Sequence, residues 1–255
     1  MNELPTTPSF RLDGRRALVT GAGRGIGLAA SAGLAQAGAA VTLCARSSDE
    51  IEAAAAAIRE AGGNADTLTL DVSDVTRARE VLSAQEPFDI LVNNAGTNRI
   101  GPFTDVTLED YDVVLGLNLK AAFFVAQAVA VRMVGVGKGG SIINMSSQMG
   151  LVGGPNRTLY CASKWAVEGM SKAMALDLAP HGIRVNTICP TFIVTPLTKP
   201  ILADEAFHAH VMSMIKLGRL GQVEDLMGAV VFLASDASAL MTGSALVVDG
   251  GWTAS

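Results

Sequence analysis

The run VTGAGRGIG, Val19 to Gly27, restricts what this chain can become more than any other segment. It follows the apolar residues Ala17 to Val19 and precedes the alanine-rich stretch Leu28 to Ala37, so it reads as strand, tight turn and helix. Gly21, Gly25 and Gly27 have the spacing GxxxGxG, with Arg24 and Ile26 between them. Missing β-carbons let the backbone turn sharply and let a pyrophosphate approach the amides at the following helix N-terminus. Glycine-rich turns also serve packing alone, so the motif needs company.

Two more apolar runs end in a similar way. Ile90 to Val92 leads into NNAG, Asn93 to Gly96, and SIINMSS, Ser141 to Ser147, brings Ser147 to a strand end. In an open parallel sheet, ligands gather at the carboxyl ends of strands, so three strand ends converge on one crevice. Strands are predicted at Arg16 to Thr20, Ala40 to Ala45, Ala65 to Leu70, Ile90 to Val92, Ser141 to Met145, Arg184 to Ile188 and Ala245 to Val248, with helices between. The alternation predicts an α/β fold: a Rossmann-like doubly wound parallel sheet of about seven strands, helices on both faces, right-handed crossovers. Ser47 with Glu50, and Thr107 with Asp110, have capping-box spacing at helix starts. A chain of 255 residues, 49% hydrophobic and without linker, repeat or low-complexity tract, is expected to form a single domain over residues 1–255.

The chemistry is expected around YCASK. Tyr160 and Lys164 are four apart, so on a helix they share a face and the ammonium can lie beneath the phenol and favour its anion. A tyrosine titrates near pH ~10, and bringing it to neutrality requires about 4 kcal/mol of differential stabilisation. Ser147 stands thirteen residues before Tyr160.

The ordered set TGAGRGIG, LDV (Leu70 to Val72), NNAG, Asn118 in LNLK, Ser147, Tyr160 with Lys164, and VDGG (Val248 to Gly251) resembles the short-chain dehydrogenase/reductase family in its compact, single-domain form. The match runs from about Gly14 to Trp252, and it resembles most the members acting on keto-sugar acids or 3-oxoacyl thioesters. The resemblance implies an NAD(P)-dependent oxidoreductase that interconverts a carbonyl and a secondary alcohol by hydride transfer. Tyr160 would be the acid/base, Ser147 would orient the substrate oxygen, Lys164 would hold the cofactor ribose, and Asn118 would hold a water that extends the proton path. Ser147 is preferred to Ser146 because the family's serine stands three before a glycine, here Gly150.

Cofactor choice turns on the end of the second strand, where NAD-preferring relatives place an acid. Here the position is Ala45, followed by Arg46, with Arg24 in the glycine turn; two guanidinium groups without a competing carboxylate favour NADP(H), with NAD(H) the alternative. Asp71 and Val72 match positions that frame adenine, and Asn94, Ala95 and Gly96 line the cofactor path. Pro190, Ile193 and Thr195 match positions around the nicotinamide. The family usually has glycine after Pro190, whereas this chain has Thr191, which puts the local backbone in question.

For the substrate, Arg99, Gln148, Gly154, Asn156, Arg157, Trp165 and Leu197 are wall candidates, and residues 196–220 are the expected lid. A net charge of −5 without a basic stripe argues against nucleic acid, and no metal site is expected, since the two rings of HAH at His208 and His210 fall on different helix faces. The start MNELPTTPSF lacks the features of a signal peptide, and Ala121 to Val136, broken by Gln127 and Arg132, is too short to span a bilayer. Three scattered cysteines, Cys44, Cys161 and Cys189, read as reduced thiols in a cytoplasmic protein. The apolar surface of helices near Tyr111 to Val134 and Leu159 to Leu178 predicts an oligomer, and the family resemblance implies a homotetramer built from these helices and the strand Ala245 to Val248. A silent dinucleotide-binding regulator would not need the Ser, Tyr and Lys set, and an epimerase or dehydratase would need a longer substrate domain.

Overall fold

The computed structural model describes residues 4–254. Residues 1–3 and Ser255, the ends of the expected domain, lie outside the described residues. Seven strands form one parallel sheet: β1 (Arg16–Thr20), β2 (Ala40–Ala45), β3 (Asn64–Thr69), β4 (Ile90–Asn93), β5 (Gly140–Met145), β6 (Ile183–Pro190) and β7 (Ala245–Val248). Their order is β3-β2-β1-β4-β5-β6-β7, all pairs parallel. The chain thus winds outward in both directions from β1 and β4. The expected doubly wound sheet is present, with each strand boundary within two residues of its predicted place.

Alternate strand residues face opposite ways. Val19, Val41 and Leu43 enter a core with Leu34 of α1 (Gly25–Gln36), Ile51 and Ile58 of α2 (Ser48–Glu60), and Val230 and Leu233 of α9 (Glu224–Ala234). Leu18, Leu91 and Ile142 face the other core, with Leu82 of α3 (Val75–Ala84), Val125 and Val129 of α5 (Ala122–Val136), and Ala175 of α6 (Thr158–Leu178). Small residues let α1 lie close to its neighbours: a β-carbon at Gly33 would stand 3.4 Å from Met227 of α9.

Before α5 comes α4 (Leu108–Leu115), and between them residues Gly116–Ala121 form a π-helical turn within one continuous rod, Leu108–Val136. By length and composition this 29-residue rod is apolar enough to cross a membrane, longer than the stretch read from sequence, but half of its most apolar window is buried in the protein. It serves here as a core helix. Thr107 and Asp110 form the predicted capping box. Ser47 makes no side-chain capping bond, and the Glu50 carboxylate pairs with Arg24, 3.2 Å away.

A third, smaller core underlies residues 196–220. Helices α7 (Lys199–Leu202) and α8 (Glu205–Met214) cover it, with Val211, Ile215 and Trp252 buried and Phe192 and Phe207 packed against them.

Candidate active site

At the carboxyl edge of the sheet, a cleft of about 1260 Å³ runs from the end of β2, across β1 and β4, to the end of β6. It opens where the winding direction reverses, the place such sheets keep for ligands. Thr20 joins the two central strand ends: its Oγ1 accepts hydrogen bonds from the amides of Asn94 (2.9 Å) and Ala95 (3.0 Å), while Asn94 Nδ2 donates to its carbonyl at 2.9 Å. Sequence reasoning did not assign Thr20 a role.

Gly21, Arg24, Gly25, Ile26, Ala45, Arg46, Asp71, Val72, Asn94, Ala95, Gly96, Pro190, Ile193 and Thr195 all line this cleft. Gly21 and Gly25 take φ values of +64° and +55°, which other residues rarely adopt, and a β-carbon on Gly25 would press to 3.4 Å from Thr195 across the path. Gly27 does different work. It does not line the cleft; a β-carbon there would collide with the Gly21 carbonyl, so this glycine seats α1 on the turn.

The adenosine end differs from expectation in one respect. Carboxylates are present: Glu50 from the first turn of α2 pairs with Arg24, and Asp71 lies 3.7 Å from Arg46. Burial pulls the Asp71 carboxyl upward, but hydrogen bonds from Ser73 and the Arg46 charge outweigh it, and the net displacement is downward. Arg46 keeps a largely exposed, loosely paired guanidinium beside Ala45. Thr191 needs no positive φ, since Asn156 is the one non-glycine residue with that conformation among the described residues. The departure from the family's glycine therefore leaves the loop unstrained.

At the other end, Ser147, Tyr160 and Lys164 line the cleft together with Ser146. The strand β5 ends at Met145, and the chain then bends through the turn Gln148–Gly150, which places Ser147 beside the first turn of α6. Lys164 is buried, its Nζ donates to the Met145 carbonyl at 2.8 Å and lies 5.6 Å from the centre of the Tyr160 ring. The i, i+4 relation read from the sequence is thus realised. Gly96 sits between the partners: a β-carbon there would be 3.2 Å from Asn118 Oδ1 and 3.8 Å from Lys164 Nζ.

The electrostatics run against the simplest expectation. Burial raises the Tyr160 phenol, with the Ser147 hydroxyl and then the Arg157 charge opposing the rise. Burial also pushes Lys164 down to about 8. An amine that loses its proton that early is a weaker support for the phenolate than the spacing alone promised.

The depressed lysine carries a stability consequence. Between about 8 and the usual 10.5 the unfolded chain holds a proton that the folded chain does not, so stability rises with pH across that window and the penalty is complete below it. Replacing Lys164 with Met should therefore raise stability at neutral pH by up to about 3 kcal/mol, less about 1 for the lost bond to Met145. The gain should vanish by pH ~10, while turnover falls by at least about 10²-fold. Thermal unfolding at both pH values and steady-state assay check the two halves.

Asn118 lies in the π turn. Its Oδ1 accepts from the Thr97 amide (2.7 Å), and its Nδ2 donates to the Thr97 carbonyl (2.9 Å) and Ser163 Oγ (3.0 Å), which in turn donates to the Tyr160 carbonyl at 2.8 Å. The side chain thus ties the loop after β4 to the helix of Tyr160 and Lys164. Apolar periodicity could not reveal a π turn.

The substrate candidates separate. Arg99 and Leu197 line the cleft, Arg99 loosely paired with Asp110 at 3.5 Å. Gln148 and Gly154 do not: Gln148 is buried and accepts from Ser147 Oγ at 2.9 Å, and Gly154 packs on Met149. Asn156 is exposed and does not line the cleft, its carbonyl accepting from the Gly101 amide, and Trp165 is 53% exposed. The helix carrying Trp165 turns that face away from the sheet edge. Thr97, Thr191 and Ser146 were missed as wall residues. Ser146 and Thr191 line the cleft, and their hydroxyls are buried without a hydrogen-bond partner among the described residues.

A glycine turn at the switch point of a parallel sheet, leading to a serine, tyrosine and lysine at one end of the same cleft, defines a dinucleotide-dependent oxidoreductase. A family model described as "Enoyl-(Acyl carrier protein) reductase" matches residues 21–253. The chain is 41% identical over 250 residues to gluconate 5-dehydrogenase of Gluconobacter oxydans, covering 96% of this chain and 97% of that one. It is 40% identical to D-erythrulose reductase of Gallus gallus, over 97% and 99% of the two chains. The crystal structure of a gluconate 5-dehydrogenase from Burkholderia cenocepacia, in complex with NADP and tartrate, superimposes with a TM-score of 0.93 at 40% identity, covering 96% and 98%. The chain belongs to the short-chain dehydrogenase/reductase family, and it is an oxidoreductase.

Proposed function

We propose that this enzyme interconverts a small polyhydroxylated ketone, of the sugar or sugar-acid class, with the corresponding secondary alcohol, using NADP(H) in preference to NAD(H). The observation that carries the reaction is the placement of Tyr160 and Lys164 beside Ser147 in a cleft that begins at the glycine turn. The substrate class is supported by the names of the relatives above, and a 3-oxoacyl thioester is the runner-up. A bound nicotinamide supplies or accepts the hydride. Tyr160 gives its proton to the oxygen of a carbonyl being reduced, or takes the hydroxyl proton of an alcohol being oxidised. Ser147 holds that oxygen in register with the phenol. Lys164 holds the ribose hydroxyls, and Asn118 fixes the loop that carries Thr97 against the catalytic helix.

NADP(H) preference is supported by Ala45 and the exposed Arg46, and by the NADP in the Burkholderia relative. Residues 196–220 serve as a lid: Leu197 and Thr198 line the cleft while α8 is seated on the third core. Residues 1–255 act as a single domain. Three free thiols are in keeping with a reducing, cytoplasmic setting.

We also propose a homotetramer. Its support is the outer face of α4, α5 and α6, where Leu108, Tyr111, Phe123, Trp165 and Leu176 are each more than 40% exposed. β7 is an edge strand. Light scattering after size exclusion should give a mass four times the 26.3 kDa of the chain; a monomer would remove the proposal.

The function is tested by following nicotinamide absorbance with a panel of ketoses, keto-sugar acids, polyols and 3-oxo esters against both cofactors. Turnover of the thioester analogues alone would exclude the sugar class. No turnover with any compound would discredit the dehydrogenase reading.

A further inference from the structure

We propose that Arg157 is a positioning residue for this reaction: its guanidinium, buried at the start of α6 three residues before Tyr160, stabilises the phenolate formed when the enzyme oxidises an alcohol. The proposal rests on the dehydrogenase reading above. It adds to Lys164 a second cation, on the other side of the tyrosine in sequence.

Arg157 is 5% exposed. Its guanidinium carbon lies 5.4 Å from the centre of the Phe192 ring and 5.3 Å from that of Phe207, so one aromatic from the end of β6 and one from α8 hold it. No acid pairs with it among the described residues, and Nη2 is buried without a hydrogen-bond partner. It also stands as the N-cap of a 21-residue helix, the end at which a positive charge is least welcome. A buried, unpaired cation in that position is expensive unless an anion forms near it. Arg157 is not among the residues that line the cleft and its Nη2 is covered, so it has no direct approach to a substrate, whereas Tyr160, three residues on, lines the cleft.

Among the described residues, the polar and titratable groups that act on the phenol come from three places. Ser147 approaches from the end of β5, Arg157, Cys161 and Lys164 belong to α6, and Cys189 comes from β6. Burial and the neighbouring Glu168 push the Cys189 thiol up to about 12, so it remains neutral at working pH. Lys164, pushed down to about 8, is losing its charge in the range where alcohol oxidation is favoured by proton release. A guanidinium keeps its charge throughout. Above about 8, therefore, Arg157 is the enduring positive side chain in this group.

The chain has only two tyrosines, so in a Tyr111→Phe background an ultraviolet phenolate titration of the folded protein reads Tyr160 alone, without turnover. Arg157→Gln in that background should raise the midpoint by about one unit, a roughly tenfold change in ionisation. The acid limb of kcat/KM for alcohol oxidation should move upward by the same amount, giving a deficit of about tenfold near neutrality that closes as pH rises. Arg157→Met, which keeps the packing between the two rings, serves where the Gln variant does not fold, with the same expected result. An unmoved midpoint with uniform loss at every pH would make Arg157 structural and overturn the proposal. A rise in KM confined to carboxylate substrates, again with an unmoved midpoint, would assign it to substrate binding and overturn it equally. Absence of any turnover leaves the titration readable and counts against the dehydrogenase reading instead.

Discussion

Tyr160→Phe is expected to lower kcat for both directions by about 10³-fold while leaving NADP(H) affinity nearly unchanged. The change removes one hydroxyl and keeps the ring against which Lys164 Nζ rests at 5.6 Å, so the wall of the cleft survives. The lost group is the proton donor, and no neighbour replaces it: Ser147 donates to Gln148 Oε1 and accepts from the Met149 amide, and Lys164 donates to Met145. Fluorescence titration with NADPH alongside steady-state kinetics separates chemistry from binding. Retention of more than about a tenth of the activity would remove Tyr160 from its assigned role.

Ala45→Asp should reverse cofactor preference, shifting the ratio of kcat/KM for NADP+ over NAD+ by roughly 100-fold, about 2.7 kcal/mol. The new carboxylate would stand at the end of β2 beside Arg46, whose present partner Asp71 is 3.7 Å away and holds it loosely. An aspartate there competes for the guanidinium and repels a 2′-phosphate, while it can accept bonds from a free ribose. The wild-type enzyme with NAD+ preferred over NADP+ tenfold would sink the premise, and an unchanged ratio in the variant would place the phosphate elsewhere.

Much of the fold was legible because the strands are apolar runs closed by turn residues, a pattern local enough to read without neighbours. β1, β2 and β7 were placed to the residue. The cofactor path was legible for a similar reason: its residues sit on strand ends, and the sheet order brings strand ends together. What the sequence concealed depends on distances between elements. Glu50 looks like the second half of a capping box until Arg24 is seen to claim it. Gly27 looks like a phosphate contact until its neighbours are known. Arg157 reads as a wall candidate in NRTLY, and only the approach of Phe192 and Phe207 from distant parts of the chain shows it held outside the cleft. Gln148, Asn156 and Trp165 are near Ser147 and Tyr160 in sequence, but none of them lines the cleft: Gln148 is buried in the turn after Ser147, Asn156 lies in the turn before α6, and Trp165 is on an exposed face of α6.

The π turn at Gly116–Ala121 has a further bearing on the exposed apolar face of α4 and α5. It fixes the angular offset between α4, which offers Leu108 and Tyr111 outward, and α5, which carries Phe123. A helical residue corresponds to roughly 100° of rotation, so excising one residue from this turn would swing α4 around its axis and withdraw Asn118 from Thr97 and Ser163 together. Because Gly116, Leu117 and Lys120 of this turn also line the cleft, one deletion would then turn the exposed face of α4 and disarm the proton chemistry at one stroke.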